Sequence, residues 1–166
     1  MKALFLDRDG TINVDYGYVH EPSRFVFFDG IFDVCRQARD HGYAIIVVTN
    51  QSGIARGYFT EEAYNTLTRH MMDAFAREGV VLTDVLHCPL LDGPDRKPNP
   101  GLFLKARDRH GIDMAASISI GDKPRDIQAA EAAGVGTNLL FTGDYSTLHI
   151  PWTNDLVPSV PRSATP

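Results

Sequence analysis

Apolar residues along this chain fall into two alternating patterns. Five short runs centred on Leu, Ile and Val, at Ala3–Leu6, Ala44–Val48, Val81–Leu86, Ser117–Ile120 and Gly136–Phe141, have the length and bias of strands buried on both faces. Between them the spacing changes to that of helices. Ile31, Val34, Cys35 and Ala38 recur at i, i+3, i+4 and i+7, and Tyr64, Leu67, Met71 and Phe75 repeat similarly. Thr60 ahead of Glu61 and Glu62 is placed as an N-cap with acids in the first turn, and Gly79 as the stop. Pro100 opens a third helix that Gly111 closes, and Pro124 and Gly134 bracket a fourth with Ile127 and Ala130 inward. A βαβαβαβαβ order predicts an α/β fold with a doubly wound parallel sheet. In such sheets ligands bind beyond the C-terminal strand ends, near the switch in strand order.

The pattern fades after Thr142, where Pro151, Pro158, Pro161 and Pro166 lie among Ser and Thr. Residues 1–143 are therefore read as one domain and 144–166 as a mostly irregular tail, with Trp152 pinning its start to the body. The Asp9–Asp29 connection is too short for a separate cap domain. A chain of 166 residues with 43% hydrophobic and 22% charged positions has the composition of a globular protein. Sixteen basic residues against 21 acidic ones, a net charge of −5, leave no summed positive field for a nucleic-acid backbone. Cys35 and Cys88 form neither a CxxC motif nor a disulfide framework. Asp7 follows too few apolar residues for a signal-peptide core, and no run reaches the roughly 18 residues of a membrane span. The expectation is a cytoplasmic protein with no membrane or nucleic-acid partner and, lacking an apolar heptad stripe, a monomer.

Polar chemistry concentrates where the strands end. The first runs into Asp7-Arg8-Asp9-Gly10-Thr11, placing two carboxylates at i and i+2. Such a pair repels unless a cation joins it, and a hard ion such as Mg²⁺ suits oxygen ligands. The second ends in Thr49-Asn50-Gln51-Ser52-Gly53, a set of hydroxyls and amides with a glycine turn that could cradle a phosphate. Before the third helix, Arg96-Lys97-Pro98-Asn99-Pro100 stiffens the chain around a lysine. The fourth strand ends in Gly121-Asp122-Lys123-Pro124-Arg125-Asp126, where Asp122 can complete a metal site and Asp126 favours the helix N-terminus. Alone, each segment also reads as a solvated turn or a cap. Four of them in turn, at four successive strand ends, make coincidence a poor explanation.

The order DxDGT, strand-terminal Thr, Lys, terminal acids resembles the four motifs of the haloacid dehalogenase superfamily of phosphotransferases. Within it, FLDRDGTIN (5–13), DYGYVHEP (15–22), VVTNQSGIARGYFT (47–60), RKPNPG (96–101) and IGDKPRDIQAA (120–130) resemble the heptose-bisphosphate and histidinol phosphatase branch. The resemblance extends to about Gly143. It implies a Mg²⁺-dependent phosphatase of a small phosphorylated sugar, serving nucleotide-sugar supply for surface glycans. By it, Asp7 is the nucleophile, Asp9 the general acid and base, and Asp7, Asp9 (by its carbonyl) and Asp122 the metal ligands. Thr49, Asn50 and Lys97 surround the phosphoryl oxygens, with Gln51 and Ser52 in the same nest. Asp15, Tyr16, Gly17, Tyr18, Arg96 and Lys123 meet the rest of the substrate.

One feature of that branch is missing. Its members often carry a CxH…CxC zinc loop before the RKP motif, but here the segment reads His87-Cys88-Pro89-Leu90-Leu91-Asp92-Gly93-Pro94-Asp95. One thiolate cannot close a tetrahedral site, so no structural zinc is expected. A phospho-acceptor receiver module would place its acid after the third strand, where His87-Cys88-Pro89 stand. Neither GxxxxGK[ST] nor GxGxxG occurs. The remaining alternatives are histidinol phosphate or another small phosphomonoester as substrate, and a non-catalytic phosphosugar-binding protein.

Overall fold

Five strands alternate with four α-helices in the computed structural model, which describes residues 1–153. They are β1 (Lys2–Leu6), α1 (Ile31–Asp40), β2 (Tyr43–Asn50), α2 (Glu61–Arg77), β3 (Asp84–Cys88), α3 (Gly101–His110), β4 (Ile118–Gly121), α4 (Pro124–Ala132) and β5 (Thr137–Leu140). All neighbouring strands are parallel, in the order β3-β2-β1-β4-β5. This is the doubly wound sheet the sequence predicts. The chain leaves β1 toward β2 on one side and later returns to β4 on the other, so the order reverses at β1 and a crevice opens at its C-terminal end.

Strand alternation divides the core in two. Leu4, Leu6, Ile45 and Val47 face α1 and α2 through Val34, Cys35, Leu67, Met71 and Phe75. Phe5, Ile46 and Val48 face the opposite layer, where Leu102, Phe103, Ala106, Ala129 and Ala130 pack. The Thr60 hydroxyl accepts from the Ala63 amide at 3.0 Å and caps α2. Gly111, at φ +66°, ends α3 in the left-handed conformation open to glycine.

Two expectations shift. The third strand starts at Asp84 rather than Val81, because Val80 and Leu82 are buried in the core beside α2 while Val81 between them is 81% exposed. Apolar composition there reflects an anchor that precedes the ladder. In α4 the buried positions are Asp126, Ala129 and Ala130, and Ile127 is only half-buried. A carboxylate occupies the inward position because a buried ammonium ion waits for it.

The Asp9–Asp29 connection lies down on the sheet end with Val19 and Phe25 buried, held by Val14 N–H to Val26 O at 2.8 Å and Phe28 N–H to Ile12 O at 2.9 Å. No separate cap domain is built from it. After β5 a 3₁₀ turn (Tyr145–Thr147) sends the Tyr145 hydroxyl to the Thr11 carbonyl at 2.6 Å. The Trp152 indole donates to Gln37 Oε1 at 3.0 Å and stacks on His41, and Thr153 bonds Lys2 and Tyr43. The remainder of the predicted tail, 154–166, lies outside the described residues. Among the described residues no helix is long and apolar enough to cross a membrane.

Candidate active site

At the crevice above β1 a cleft of about 380 Å³ is lined by polar side chains from four strand ends. Its floor is a buried ion cluster. Lys97, 2% exposed, donates from Nζ to Asp7 Oδ1 at 2.9 Å and to the Val48 carbonyl at 2.9 Å, and pairs with Asp126 Oδ1 at 2.7 Å. The loop that delivers this lysine is clamped by Asn50, whose side chain accepts from the Lys97 amide at 3.0 Å and donates to its carbonyl at 3.1 Å. The Lys97–Pro98 peptide is cis.

Charge in this floor does not balance. Asp7, Asp122 and Asp126 bring carboxylate oxygens within 4.8 Å of one another, against one buried ammonium group. Burial pushes the Asp7 carboxyl well above its ordinary value; Lys97 opposes this, while Asp126 and Asp122 add to it. Burial likewise raises Asp122, with Asp126 adding to it. Lys97 moves up despite burial, because Asp7 and Asp126 hold its proton. The lysine therefore stays charged, and the further cation beside these acids is the exposed Lys123, 3.9 Å from Asp122 Oδ2, so the floor has no second buried cation among the described residues.

The residues present fit a divalent ion. Both Asp126 oxygens are engaged, Oδ1 by Lys97 and Oδ2 by the Lys123 amide at 3.0 Å. Asp122 Oδ1, by contrast, is buried without a hydrogen-bond partner among the described residues. Gly10 keeps the space beside it open: its φ is +90°, and a Cβ there would stand 2.1 Å from Asp122 Oδ2. Asp122 thus offers a free oxygen to a hard cation beside Asp7, while Asp126 serves the lysine.

Asp9 sits higher, at the side of the cleft. Its Oδ1 accepts from Asn13 Nδ2 at 3.0 Å and its Oδ2 from Gln51 Nε2 at 2.9 Å, while Arg8 reaches both oxygens. The same Gln51 nitrogen donates to Thr49 Oγ1 at 3.0 Å. Asn50 and Gln51 line the cleft as expected, yet their side-chain amides are committed to Lys97, Asp9 and Thr49 rather than pointing at a ligand. Ser52 also lines it, with its hydroxyl accepting from Arg56 Nε at 3.3 Å.

Asp15, Gly17, Tyr18, Arg96 and Lys123 stand around the mouth. Tyr16 does not line it: this ring is 51% exposed and lies against the Arg24 guanidinium. Asp15 turns its own loop by accepting from the Gly17 amide at 2.9 Å. Tyr18, at φ +49°, rests edge-on against Tyr58, with ring centroids 4.8 Å apart. Two cations are added to the expected set, Arg56 and Arg125. Arg125 follows the proline that opens α4, a first-turn position that faces the strand-end crevice. Tyr58 sits in the same glycine-bounded loop as Arg56, and only the folded loop shows which side chains meet Tyr18.

At the end of β3, just before the shortened loop, Cys88 is buried, and His87 turns away to pair with Glu61 at 2.8 Å. Leu90 and Leu91 are half exposed. The turn is closed by Asn99 Nδ2 on the Gly93 carbonyl at 2.8 Å and by a contact between Lys105 and Asp95.

A family model described as haloacid dehalogenase-like hydrolase matches residues 11–139. D-glycero-β-D-manno-heptose-1,7-bisphosphate 7-phosphatase of Yersinia pestis is 50% identical over 150 residues, covering 83% of this chain and 79% of its own. The corresponding α-anomer enzyme of Burkholderia mallei is 47% identical, covering 84% and 79%. The crystal structure of D,D-heptose 1,7-bisphosphate phosphatase from B. bronchiseptica, complexed with magnesium and phosphate, superposes with a TM-score of 0.77 at 32% identity, covering 82% of this chain and 79% of that one. With a family match over most of its length and relatives at half identity across the fold just described, the chain belongs to the haloacid dehalogenase-like hydrolases and is one of their phosphatases.

Proposed function

We propose that this phosphatase removes the C7 phosphate of D-glycero-D-manno-heptose 1,7-bisphosphate, a step in precursor supply for heptose-containing surface glycans. The observation that carries the reading is the placement of charge along one cleft: Lys97 at the floor beside Asp7, and Arg56, Arg96, Lys123 and Arg125 around the rim. A molecule with a phosphate at each end satisfies both sets. Relatives named for that substrate, at about half identity, support it.

Asp7 is the nucleophile. One of its oxygens attacks phosphorus as the bond to the sugar oxygen breaks, and the departing alkoxide takes a proton from Asp9. Water then attacks the aspartyl phosphate, gives its proton to Asp9, and releases inorganic phosphate and the Asp7 carboxylate. Lys97 and the Thr49 hydroxyl serve the equatorial phosphoryl oxygens, where charge sits in the transition state, and losing one such donor removes about 3–4 kcal/mol of transition-state stabilisation. Asp7, the Asp9 carbonyl and Asp122 would hold Mg²⁺, and the ion when bound would supply the positive charge that offsets the negative floor so that a phosphate can approach a carboxylate.

The test is phosphate release with Mg²⁺ from both anomers of the heptose bisphosphate, from histidinol phosphate and from fructose 1,6-bisphosphate, with Asp7→Asn as blank. A heptose bisphosphate should lead in kcat/KM, by about 100-fold over histidinol phosphate, which has no second phosphate for the rim cations, and also over fructose 1,6-bisphosphate, whose second phosphate sits on a different sugar. Preference for histidinol phosphate would overturn the substrate while leaving the chemistry. No turnover of any of them would return the phosphosugar-binding reading.

A further inference from the structure

Arg8, the residue between the two motif carboxylates, has no part in the mechanism above, yet it is the largest side chain enclosed by this fold, 1% exposed. Burying a guanidinium is unfavourable unless it is paired and hydrogen-bonded, so its partners indicate what it is for. Nε lies 3.3 Å from Asp9 Oδ1, and Nη2 lies 3.1 Å from Oδ1 and 3.0 Å from Oδ2. Nη2 also donates to the Val19 carbonyl at 2.7 Å. The rings of Phe25 and Tyr64 flank the guanidinium at 5.7 and 5.9 Å. Nη1 is buried without a hydrogen-bond partner among the described residues, so the polar contacts of the group are to Asp9 and the Val19 carbonyl.

Those two contacts belong to different parts of the site. Asp9 carries the proton of the reaction as proposed above, and Val19 ends the loop that places Asp15, Gly17 and Tyr18 at the mouth. We propose that Arg8 is a positioning residue that fixes the Asp9 carboxylate at the side of the cleft and ties its placement to the Asp15–Val19 loop. A planar fork suits this, since Nε and Nη2 together meet the two Asp9 oxygens in a fixed plane while Nη2 also reaches the carbonyl, a geometry that a point-charge ammonium ion does not impose. Asn13 and Gln51 complete the cradle from the other side, at 3.0 and 2.9 Å. With Arg8 gone they remain, but neither reaches the Val19 end of the mouth loop; toward that loop Asn13 Nδ2 bonds only the Val14 carbonyl, at its start, at 3.2 Å.

This inference rests on Asp9 being the proton donor, and the experiment separates the two. The leaving-group dependence of kcat/KM is measured with Mg²⁺ on a series of aryl phosphates from nitrophenyl to unsubstituted phenyl, for the wild type, Asp9→Asn, Arg8→Met and Arg8→Lys. A positioned general acid is worth 10²–10⁴-fold, mostly for poor leaving groups. Asp9→Asn should therefore steepen the dependence. Arg8→Met should steepen it in the same sense, losing about 10²-fold on phenyl phosphate and no more than about threefold on nitrophenyl phosphate, the loss expected for a misplaced group by about 1 Å. Arg8→Lys should fall between, since a shorter side chain ending in one ammonium ion keeps the charge but not the two-pronged planar hold on Asp9.

A merely structural role would lower all substrates together. If Asp9→Asn is steep while the Arg8 variants lose activity in parallel across the series, or lose none, the proposal is overturned and the Asp9 assignment stands. A flat response of Asp9→Asn refutes both. Should Arg8→Met fail to give a native circular-dichroism spectrum, Arg8→Lys carries the test alone, and a wild-type slope there is the refuting result.

Discussion

Replacing Lys97 with Met keeps the length of the side chain and removes its charge from a floor in which Asp7, Asp122 and Asp126 converge. Breaking a buried pair by deleting one partner usually lowers stability by about 3–5 kcal/mol, because the remaining charge is left uncompensated. For a domain of this size that corresponds to a fall of roughly 6–20 °C in Tm. The effect should depend on pH in a defined direction. Asp7 and Asp122 are raised above the ordinary carboxylate value by burial, and the loss of Lys97 takes away the one influence that lowers Asp7. A folded state that holds more protons than the unfolded one loses stability as pH climbs from the ordinary carboxylate range through the raised values. The gap between variant and wild type should therefore widen from acid to neutral pH, and Mg²⁺ should narrow it. Thermal melting at pH 5 and pH 7, with and without the ion, reads all three effects. A variant within about 1 kcal/mol of wild type at pH 7 without metal would refute the charge-deficit account of this floor.

Other expectations follow from the same geometry. Asp122→Asn should raise metal-free stability at neutral pH by about 1 kcal/mol, by removing a carboxylate that burial and Asp126 disfavour and that only the exposed Lys123 offsets, while abolishing stabilisation by Mg²⁺; calorimetric titration and melting check both, and an unchanged Mg²⁺ shift would contradict it. Gly10→Ala should reduce turnover by at least about 10²-fold, because the added methyl would occupy the space beside Asp122; wild-type kcat would argue against a ligand there. Trp152→Ala should cost about 1–2 kcal/mol in urea unfolding with kcat unchanged, since the half-buried ring covers His41 and Tyr43 far from the cleft. Trp152 is the single tryptophan, so fluorescence of the wild type reports release of this segment directly.

The parallel sheet was legible because each strand is a short apolar run and each crossover has its own cap, as at Thr60 and Gly111. Where apolar residues precede the ladder, as at Val80–Leu82, composition alone misplaces a strand start, since anchoring and pairing use the same residue types. The floor of the cleft was legible for a related reason: Asp7, Lys97 and Asp122 stand at strand ends or just after them, and the topology carries strand ends together. What side chains do once there was not. Asn50 and Gln51 read as ligand contacts, but their amides bridge loops distant in sequence, to Lys97 and Asp9, over separations that no spacing rule covers. Arg8 read only as the variable letter between two acids, whereas burial makes it a support for one of them. Arg56 and Arg125 belong to the mouth because the loop after β2 and the first turn of α4 meet at the same crevice, and the pattern of neither segment records the other.

The measurement that tests the central claim most directly is a rapid acid quench of the enzyme during turnover of the heptose bisphosphate, followed by peptide mass spectrometry. The account predicts a phosphoryl group on the Asp7 peptide, lost on raising the pH and absent from Asp7→Asn, which should itself release no phosphate above background. A phosphoryl group on another residue, or full turnover by Asp7→Asn with Mg²⁺ present, would contradict it.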